Sequence, residues 1–267
     1  MDTDLYIPER TILDETVLCF WQVNRNNTDF QQEIIIPKGT VEIIFNLYPE
    51  PGCNARLYDQ NFIVPRCFIQ GYQNQPIQLN VPLKQFFFGI VLHPAAVKHI
   101  FKVPAGELAG YCVDMNLVDP DFHSLWYRLA GQRDFSDRVH TVSNWLRARL
   151  PCLTVREKAF NGLLHHGTAK SVTELSGWLC YSPRQLSRKF YELTGMNTEQ
   201  TLLYIKYLKA VQLMHASEST LTDIGFSCDF ADQSHFIKTF KSFTGLTPKE
   251  YKINKSHIPG HIFTNVR

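Results

Sequence analysis

Two clusters of side chains in the last hundred residues have the types that contact nucleic acid. The first is Arg184, Gln185, Ser187, Arg188 and Lys189; the second is Gln233, Ser234, His235 and Lys238, with Ile237 among them. Such side chains pair with base edges or grip phosphate oxygens, above all near helix N-termini. In each cluster the apolar residues fall on the opposite side at helical spacing: Leu186 and Phe190 in one, Phe236 and Phe240 in the other. A single polar helix face is ordinarily just a solvated one. Here the arrangement repeats, with Asp232 opening the second cluster 50 residues after Ser182 opens the first.

Other chemistries find less support. His93 and His99 are six apart and His165–His166 adjacent, neither being the i,i+4 pair favoured by helical zinc sites, so no metal is expected. Seven cysteines (Cys19, Cys53, Cys67, Cys112, Cys152, Cys180, Cys228) are scattered without C-x-x-C spacing, as expected of buried thiols in a reducing compartment. No G-x-S-x-G, P-loop or H-E-x-x-H occurs; the expectation is a protein that is not an enzyme and needs no cofactor. In the N-terminal half, Trp21, Glu42, Phe45 and Tyr48 are the candidates for a ligand pocket. Glu42 is the sharpest, because a carboxylate between β-branched residues needs a partner if buried, either a cationic ligand or an arginine.

The elements that would position these groups change character along the chain. Up to about Leu92 the texture is β: Thr16–Asn24, Phe62–Gln70, Pro76–Val81, Lys84–Leu92, and Glu33–Tyr48 as strand, turn at Pro37–Gly39, strand. Val41, Ile43, Phe45 and Leu47 share one face of the last; Glu42, Ile44 and Asn46 share the other, so both faces are expected to be covered. After His93 the period is helical. Pro94 starts a helix to Phe101, Asp119–Pro120 and Ser136 open two more, and Thr154 with Glu157 caps Ala159–His166, closed by Gly167. The break between the halves is expected near Pro151.

Capping boxes then punctuate the chain at Ser171–Glu174, Ser182–Gln185 and Thr247–Glu250, with Thr220–Asp223 a close variant. They frame two pairs of short helices, Val172–Leu179 with Pro183–Leu193 and Leu221–Phe226 with Gln233–Phe243, each a helix-turn-helix unit. Between them Asn197–His215 reads as one helix ~28 Å long at 1.5 Å per residue. A turn of B-DNA is ~34 Å, so two helices held by that connector can enter successive major-groove segments on one face.

The chain of 267 residues, 44% hydrophobic and 19% charged, has room for two domains and excludes disorder. Its formal net charge of +2 excludes a whole-chain basic binding mode. Residues 170–255 hold eleven Lys and Arg against eight Asp and Glu, net +3; the remainder holds sixteen against seventeen, net −1. The N-terminal MDTDLYIPER has no apolar core and no stretch spans a membrane, so a cytoplasmic protein is expected.

The runs SVTELSGWLCYSPRQLSRKFYELTGMN and TLTDIGFSCDFADQSHFIKTFKSFTGLTPKEYK resemble the two halves of the AraC/XylS-type DNA-binding domain over about residues 170–252. The strongest part is Asp232–Phe236, Phe240, Gly245, Thr247, Pro248 and Tyr251. The resemblance implies transcriptional regulation through two adjacent major-groove segments of double-stranded DNA, acting on RNA polymerase. Carried over by position, Arg184, Ser187 and Arg188 read in the first unit, and Gln233, Ser234, His235 and Lys238 in the second. This sequence departs from the family at Gly225, at Lys206 where an arginine is usual, at Asn197–Thr198 where Ser-Pro is usual, and at Asp229 where a glycine serves a left-handed backbone position. Aspartate tolerates that conformation better than most residues. KGTVEIIFNLY and GIVLHPAAVKHIFKVPAGELAG resemble, diffusely over residues 5–115, the β-rich domain of a subset of these regulators.

The expected architecture is α+β. A β-rich, partly closed barrel-like domain (1–115) for sensing or dimerisation leads through a helical bridge (116–168) to an all-α domain with two helix-turn-helix units (169–255). A loose tail (256–267) follows. Three readings of the N-terminal domain stay open: a small-molecule effector site, a surface for a homodimer or protein partner, and a metal-dependent cupin-like sensor or enzyme.

Overall fold

The computed structural model describes residues 2–9, 11–26, 31–48, 53–150, 152–166 and 171–265. Pro151, Gly167 and the 168/169 division lie outside them. Among the described residues eleven strands form two antiparallel sheets. The larger, in the order β1-β2-β9-β4-β7-β10, is built from Asp2–Tyr6 (β1), Val17–Asn26 (β2), Lys84–Leu92 (β9), Val41–Asn46 (β4), Cys67–Gln70 (β7) and Cys112–Asp114 (β10). The smaller, in the order β11-β3-β8-β5-β6, uses His261–Asn265 (β11), Gln31–Ile35 (β3), Ile77–Val81 (β8), Asn54–Leu57 (β5) and Gln60–Ile63 (β6). Neither sheet closes on itself, so the β-rich part is an open double layer rather than a complete barrel.

Alternation explains the double burial of β4, whose six residues are all buried. Ile43 and Phe45 enter the main core, where Phe45 stacks on Phe122 at 6.0 Å between ring centres. Glu42 and Ile44 face the space between the sheets. The strand-turn-strand reading of Glu33–Tyr48 has an unexpected outcome: β3 and β4 belong to different sheets. Pro37–Gly39 is therefore a corner between layers, and Gly39 takes the left-handed conformation there (φ +69°).

Helices Pro94–Phe101 (α1), Asp121–Ala130 (α2) and Phe135–Arg147 (α3) cover the far face of the larger sheet. The Trp126 indole fastens α2 by donating to the Asn46 carbonyl at 2.7 Å. Val155–His166 (α4) instead shares a second cluster with the first helix-turn-helix unit, through Phe160, Leu163 and Leu164. The main cluster runs from Phe20 through Phe122 to Tyr251, so one continuous core joins the sheets to the C-terminal helices.

The expected loose tail is a correction. Residues 261–265 pair antiparallel with Ile35–Gln31 as an edge strand, and Ile262 is 3% exposed. The turn dipeptide Pro259–Gly260 aims the chain back onto the sheet, Gly260 with φ +83°.

Candidate nucleic-acid interface and interior cavity

The C-terminal helices are Val172–Leu179 (α5), Pro183–Thr194 (α6), Thr198–Ala216 (α7), Leu221–Ser227 (α8), Gln233–Thr244 (α9) and Pro248–Asn254 (α10). Reciprocal capping boxes start α5, α6, α8 and α10 at Ser171, Ser182, Thr220 and Thr247. Asn197 does the same for α7, so its replacement of Ser-Pro leaves the helix start intact. Asp232 caps α9, its carboxylate accepting from the His235 amide at 2.7 Å.

Buried Leu186, Phe190 and Leu193 anchor α6, and Phe236, Thr239 and Phe240 anchor α9. Arg184, Gln185 and Arg188 are exposed on α6, as are Gln233, Ser234 and Lys238 on α9. Ser187, Lys189 and His235 are half-buried. Lys189 reaches Glu192 at 3.4 Å and Arg188 lies 3.9 Å from the same carboxylate. The Gln185 carbonyl accepts from the Ser182 amide at 2.9 Å, so part of its hydrogen-bonding capacity serves the cap. His235 stands edge-on to Phe230 at 5.5 Å, its Nδ1 buried and without a hydrogen-bond partner among the described residues. Tyr191 and Lys241, not singled out from the sequence, extend the two exposed faces by one helical turn from Arg188 and Lys238. The i+3 spacing was the signal that pointed to them.

Asp229 takes the left-handed conformation, φ +58°. Its carbonyl accepts from Lys206 Nζ at 2.5 Å, and Lys209 Nζ reaches the Ser227 carbonyl at 2.5 Å. Two ammonium groups of the connector thus brace the turn of the second unit, where a guanidinium fork is absent.

A cavity of about 640 Å³ lies between the two sheets, walled mainly by apolar side chains that include Trp21, Ile44, Phe62, Phe68 and Phe87. Of the four pocket candidates, Trp21 and Glu42 line it; Phe45 and Tyr48 do not. Phe45 fails because its odd-numbered position on β4 points into the helix-covered core. Within the chain the cation facing Glu42 is a lysine rather than an arginine: Lys38 Nζ lies 2.9 Å away, Thr40 donates at 2.6 Å and the Trp21 indole at 3.2 Å. Burial pushes this carboxyl upward, but Lys38 and the Thr40 hydrogen bond outweigh it and hold it below the ordinary range. Gly89 makes room for the Trp21 ring, since a Cβ there would come within 2.1 Å of the indole. Burial also pushes the wall thiols up, Cys19 to about 11 and Cys53 and Cys112 to about 12, which makes them poor nucleophiles. Lys38, Gln85 and the segment His257–His261 also line the wall and were not foreseen. A turn followed by the β-forming run His261–Asn265 was the available signal for the last.

The wall and the DNA-facing helices share contacts. Tyr204 Oη accepts from the Gly39 amide at 2.9 Å and donates to the Gln73 carbonyl at 2.8 Å; Tyr207 Oη donates to the Pro37 carbonyl at 2.8 Å. Both tyrosines lie on α7, and the corner they hold contains Lys38. At the other end the Gly260 amide donates to Tyr251 Oη of α10 at 3.1 Å, and His215 Nε2 sits 2.8 Å from the same oxygen.

Among known families, the model of a helix-turn-helix domain matches residues 175–253, and that of a domain of unknown function (DUF6597) matches residues 6–114. The transcriptional activator RhaS of Escherichia fergusonii is 32% identical over 88 residues, covering 33% of this chain and 32% of that protein. Residues 175–253 form an AraC-type helix-turn-helix domain. The HTH-type regulator ArgR of Pseudomonas aeruginosa is 31% identical over 77 residues, 29% of this chain and 23% of that one. The chain thus spans a third or less of the curated relatives it matches. Among solved structures, ToxT of Vibrio cholerae aligns over 88% of this chain and 97% of its own, at 12% identity and a TM-score of 0.49. An unsaturated fatty acid-bound form of ToxT aligns at 12% identity and 0.48, over 88% and 95%.

No helix among the described residues is long and apolar enough to cross a membrane.

Proposed function

We propose that this protein is a cytoplasmic, sequence-specific transcriptional regulator that reads two adjacent major-groove segments and acts on RNA polymerase. The observation that carries this reading is the pair of exposed faces on α6 and α9, each anchored by its inner side and joined through a single 19-residue helix. Such a connector is ~28 Å long, close to the ~34 Å of one duplex turn. Arg184, Arg188, Gln233, Ser234 and Lys238 are the readers; Gln185, Ser187 and Lys189 stand beside them. His235, half-buried, stands beside the readers of the second helix.

The cavity between the sheets is the effector site in this reading. Its volume falls in the range of small-molecule sites, and its walls have the mixture of apolar surface and few polar groups such sites use. Occupancy would reach the DNA-binding helices at two places: the Pro37–Gly39 corner held by Tyr204 and Tyr207, and the tail held by Tyr251. The domain arrangement that goes with this is a β-rich sensing part, a bridge and the double unit.

Selection of bound sequences from a random DNA pool at moderate salt tests the proposal. An enriched motif of two short blocks about one helical turn apart is expected. Absence of any enrichment, with and without a cell extract as effector source, would refute it.

A further inference from the structure

The segment that follows α10 touches both the cavity and the DNA-binding helices, and what it does there rests on the reading of the cavity as an effector site. Residues 255–260 form neither helix nor strand, and β11 is an edge strand with β3 as its neighbour. His257, Ile258, Pro259 and His261 belong to the cavity wall. Alternation gives β11 two faces. On one, His261 Nδ1 lies 2.5 Å from Glu33 Oε1, and Arg25 of β2 lies over the Phe263 ring at 4.4 Å. On the other, Ile262 is 3% exposed and belongs to the main core together with Tyr251.

Gly260 is where these contacts meet. Its amide donates to Tyr251 Oη of α10 at 3.1 Å, and its carbonyl accepts from the Ile36 amide at 2.9 Å. The same Tyr251 oxygen lies 2.8 Å from His215 Nε2 of α7. The Lys38 stem packs so closely on Gly260 that a Cβ there would come within 3.2 Å of Lys38 Cγ. The Lys38 ammonium in turn pairs with Glu42 at the cavity wall. The backbone at Gly260 is left-handed (φ +83°), which glycine adopts without strain. An edge strand behind an irregular stretch opens locally at less cost than a strand flanked on both sides, because one ladder breaks instead of two.

We infer that residues 257–265 are a strap whose docking is linked to occupancy of the cavity on one face and to the seating of α10 on the other. A molecule in the cavity touches the wall residues of the strap only while the strap is docked, so binding favours the docked state. The docked strap presents Gly260 to Tyr251, so a filled cavity steadies α10 and, through His215, the end of α7. Linkage requires the reverse as well: loosening the strap weakens binding in the cavity.

Amide hydrogen exchange of the full chain tests this, with two apolar dyes, Nile red and anilinonaphthalenesulfonate, as cavity probes. Binding is assigned to the cavity by its loss in Ala55→Trp, which fills the space from a wall position. Either dye is expected to slow exchange of residues 248–265 in the wild type and to leave α3 unchanged. Gly260→Ala, at a position that does not line the cavity, is expected to speed exchange of the same residues about fivefold without dye, the population shift of an alanine in a left-handed position. It should weaken both dyes by up to the same factor. If Gly260→Ala does not fold by far-ultraviolet circular dichroism, Ile262→Val serves the same comparison. In Tyr251→Phe the dyes are expected to slow residues 257–265 but no longer α10. Cavity binding that leaves exchange of residues 257–265 unchanged, or undiminished dye affinity in the loosened variant, would overturn the strap. Slowing of α10 that persists in Tyr251→Phe would overturn its link to the DNA-binding helices. Failure of both dyes to bind in the cavity would overturn the effector-site reading itself, and this inference with it.

Discussion

Ile262→Ala is the perturbation that most sharply separates a docked C-terminal strand from a loose tail. Ile262 is 3% exposed, belongs to the main core cluster, and sits opposite Ile34 in the pairing of β11 with β3. Truncating a buried isoleucine to alanine costs about 2–5 kcal/mol, the transfer term plus the cavity left behind. At an edge strand part of that cavity can collapse, so the low half of the range, ~2–3 kcal/mol, is expected. With a urea m-value on the order of 3 kcal/mol/M for a chain of this size, the midpoint falls by somewhat under 1 M. Thr264→Ala, two residues on and exposed, is the matched control and should stay within about 0.5 kcal/mol. The assay is urea unfolding of both variants followed by circular dichroism and by tryptophan fluorescence. A midpoint for Ile262→Ala indistinguishable from that of Thr264→Ala would refute the docking of β11, and with it the wall that His257–His261 provides to the cavity.

Three further outcomes follow from buried polar contacts. Tyr207→Phe strands the Pro37 carbonyl in a fully buried place and is expected to cost about 1–3 kcal/mol, with faster amide hydrogen exchange in the 36–40 corner; unchanged stability and exchange would exclude this contact as a link between sheet and connector. Glu42 has a depressed folded pKa, so the stability it contributes is present above the ordinary value of 4.5 and is lost as pH falls through its folded value. The stability difference between wild type and Glu42→Gln should therefore shrink between pH 6 and about pH 3, and a difference that stays flat or widens on acidification would contradict the Lys38 pairing. His215 has a pKa lowered from 6.5 by burial and by Lys255, so the unfolded chain binds its proton first and stability falls as pH drops through that value. His215→Gln should flatten the profile over that window, and an unaltered slope would place the ring outside the Tyr251 contact.

Much of the C-terminal region was legible because its signals are local. Ser182 with Gln185 and Pro183 fixes where α6 begins, and Leu186 and Phe190 fix which side is buried, all within two helical turns. The left-handed Asp229 was likewise legible from the residue type its turn demands. The β-rich region was legible as strands but not as layers. Nothing in Ile34–Ile44 says that the chain changes sheets at Pro37–Gly39, because strand partners lie far away in sequence. Phe45 was misplaced for a related reason: alternation gives two faces to β4 without saying which faces the cavity and which the helices. The partner of Glu42 came from four residues upstream across that same corner, a contact invisible until the corner is known. His235 has the type of a base reader, and the Phe230 ring beside it is a neighbour that its spacing in the sequence does not announce.

The central claim is that α6 and α9 of one chain each read their own stretch of a single operator. Binding of wild type, Arg188→Ala and Gln233→Ala to every single-base variant of the selected motif tests it most directly, at one fixed salt concentration. Each substitution is expected to flatten the base preferences of one block by about 1–3 kcal/mol per position while leaving the other block's preferences intact. Uniform weakening at all positions by both variants would reduce these side chains to phosphate contacts, and loss of both blocks' preferences in either variant would contradict two separate readers.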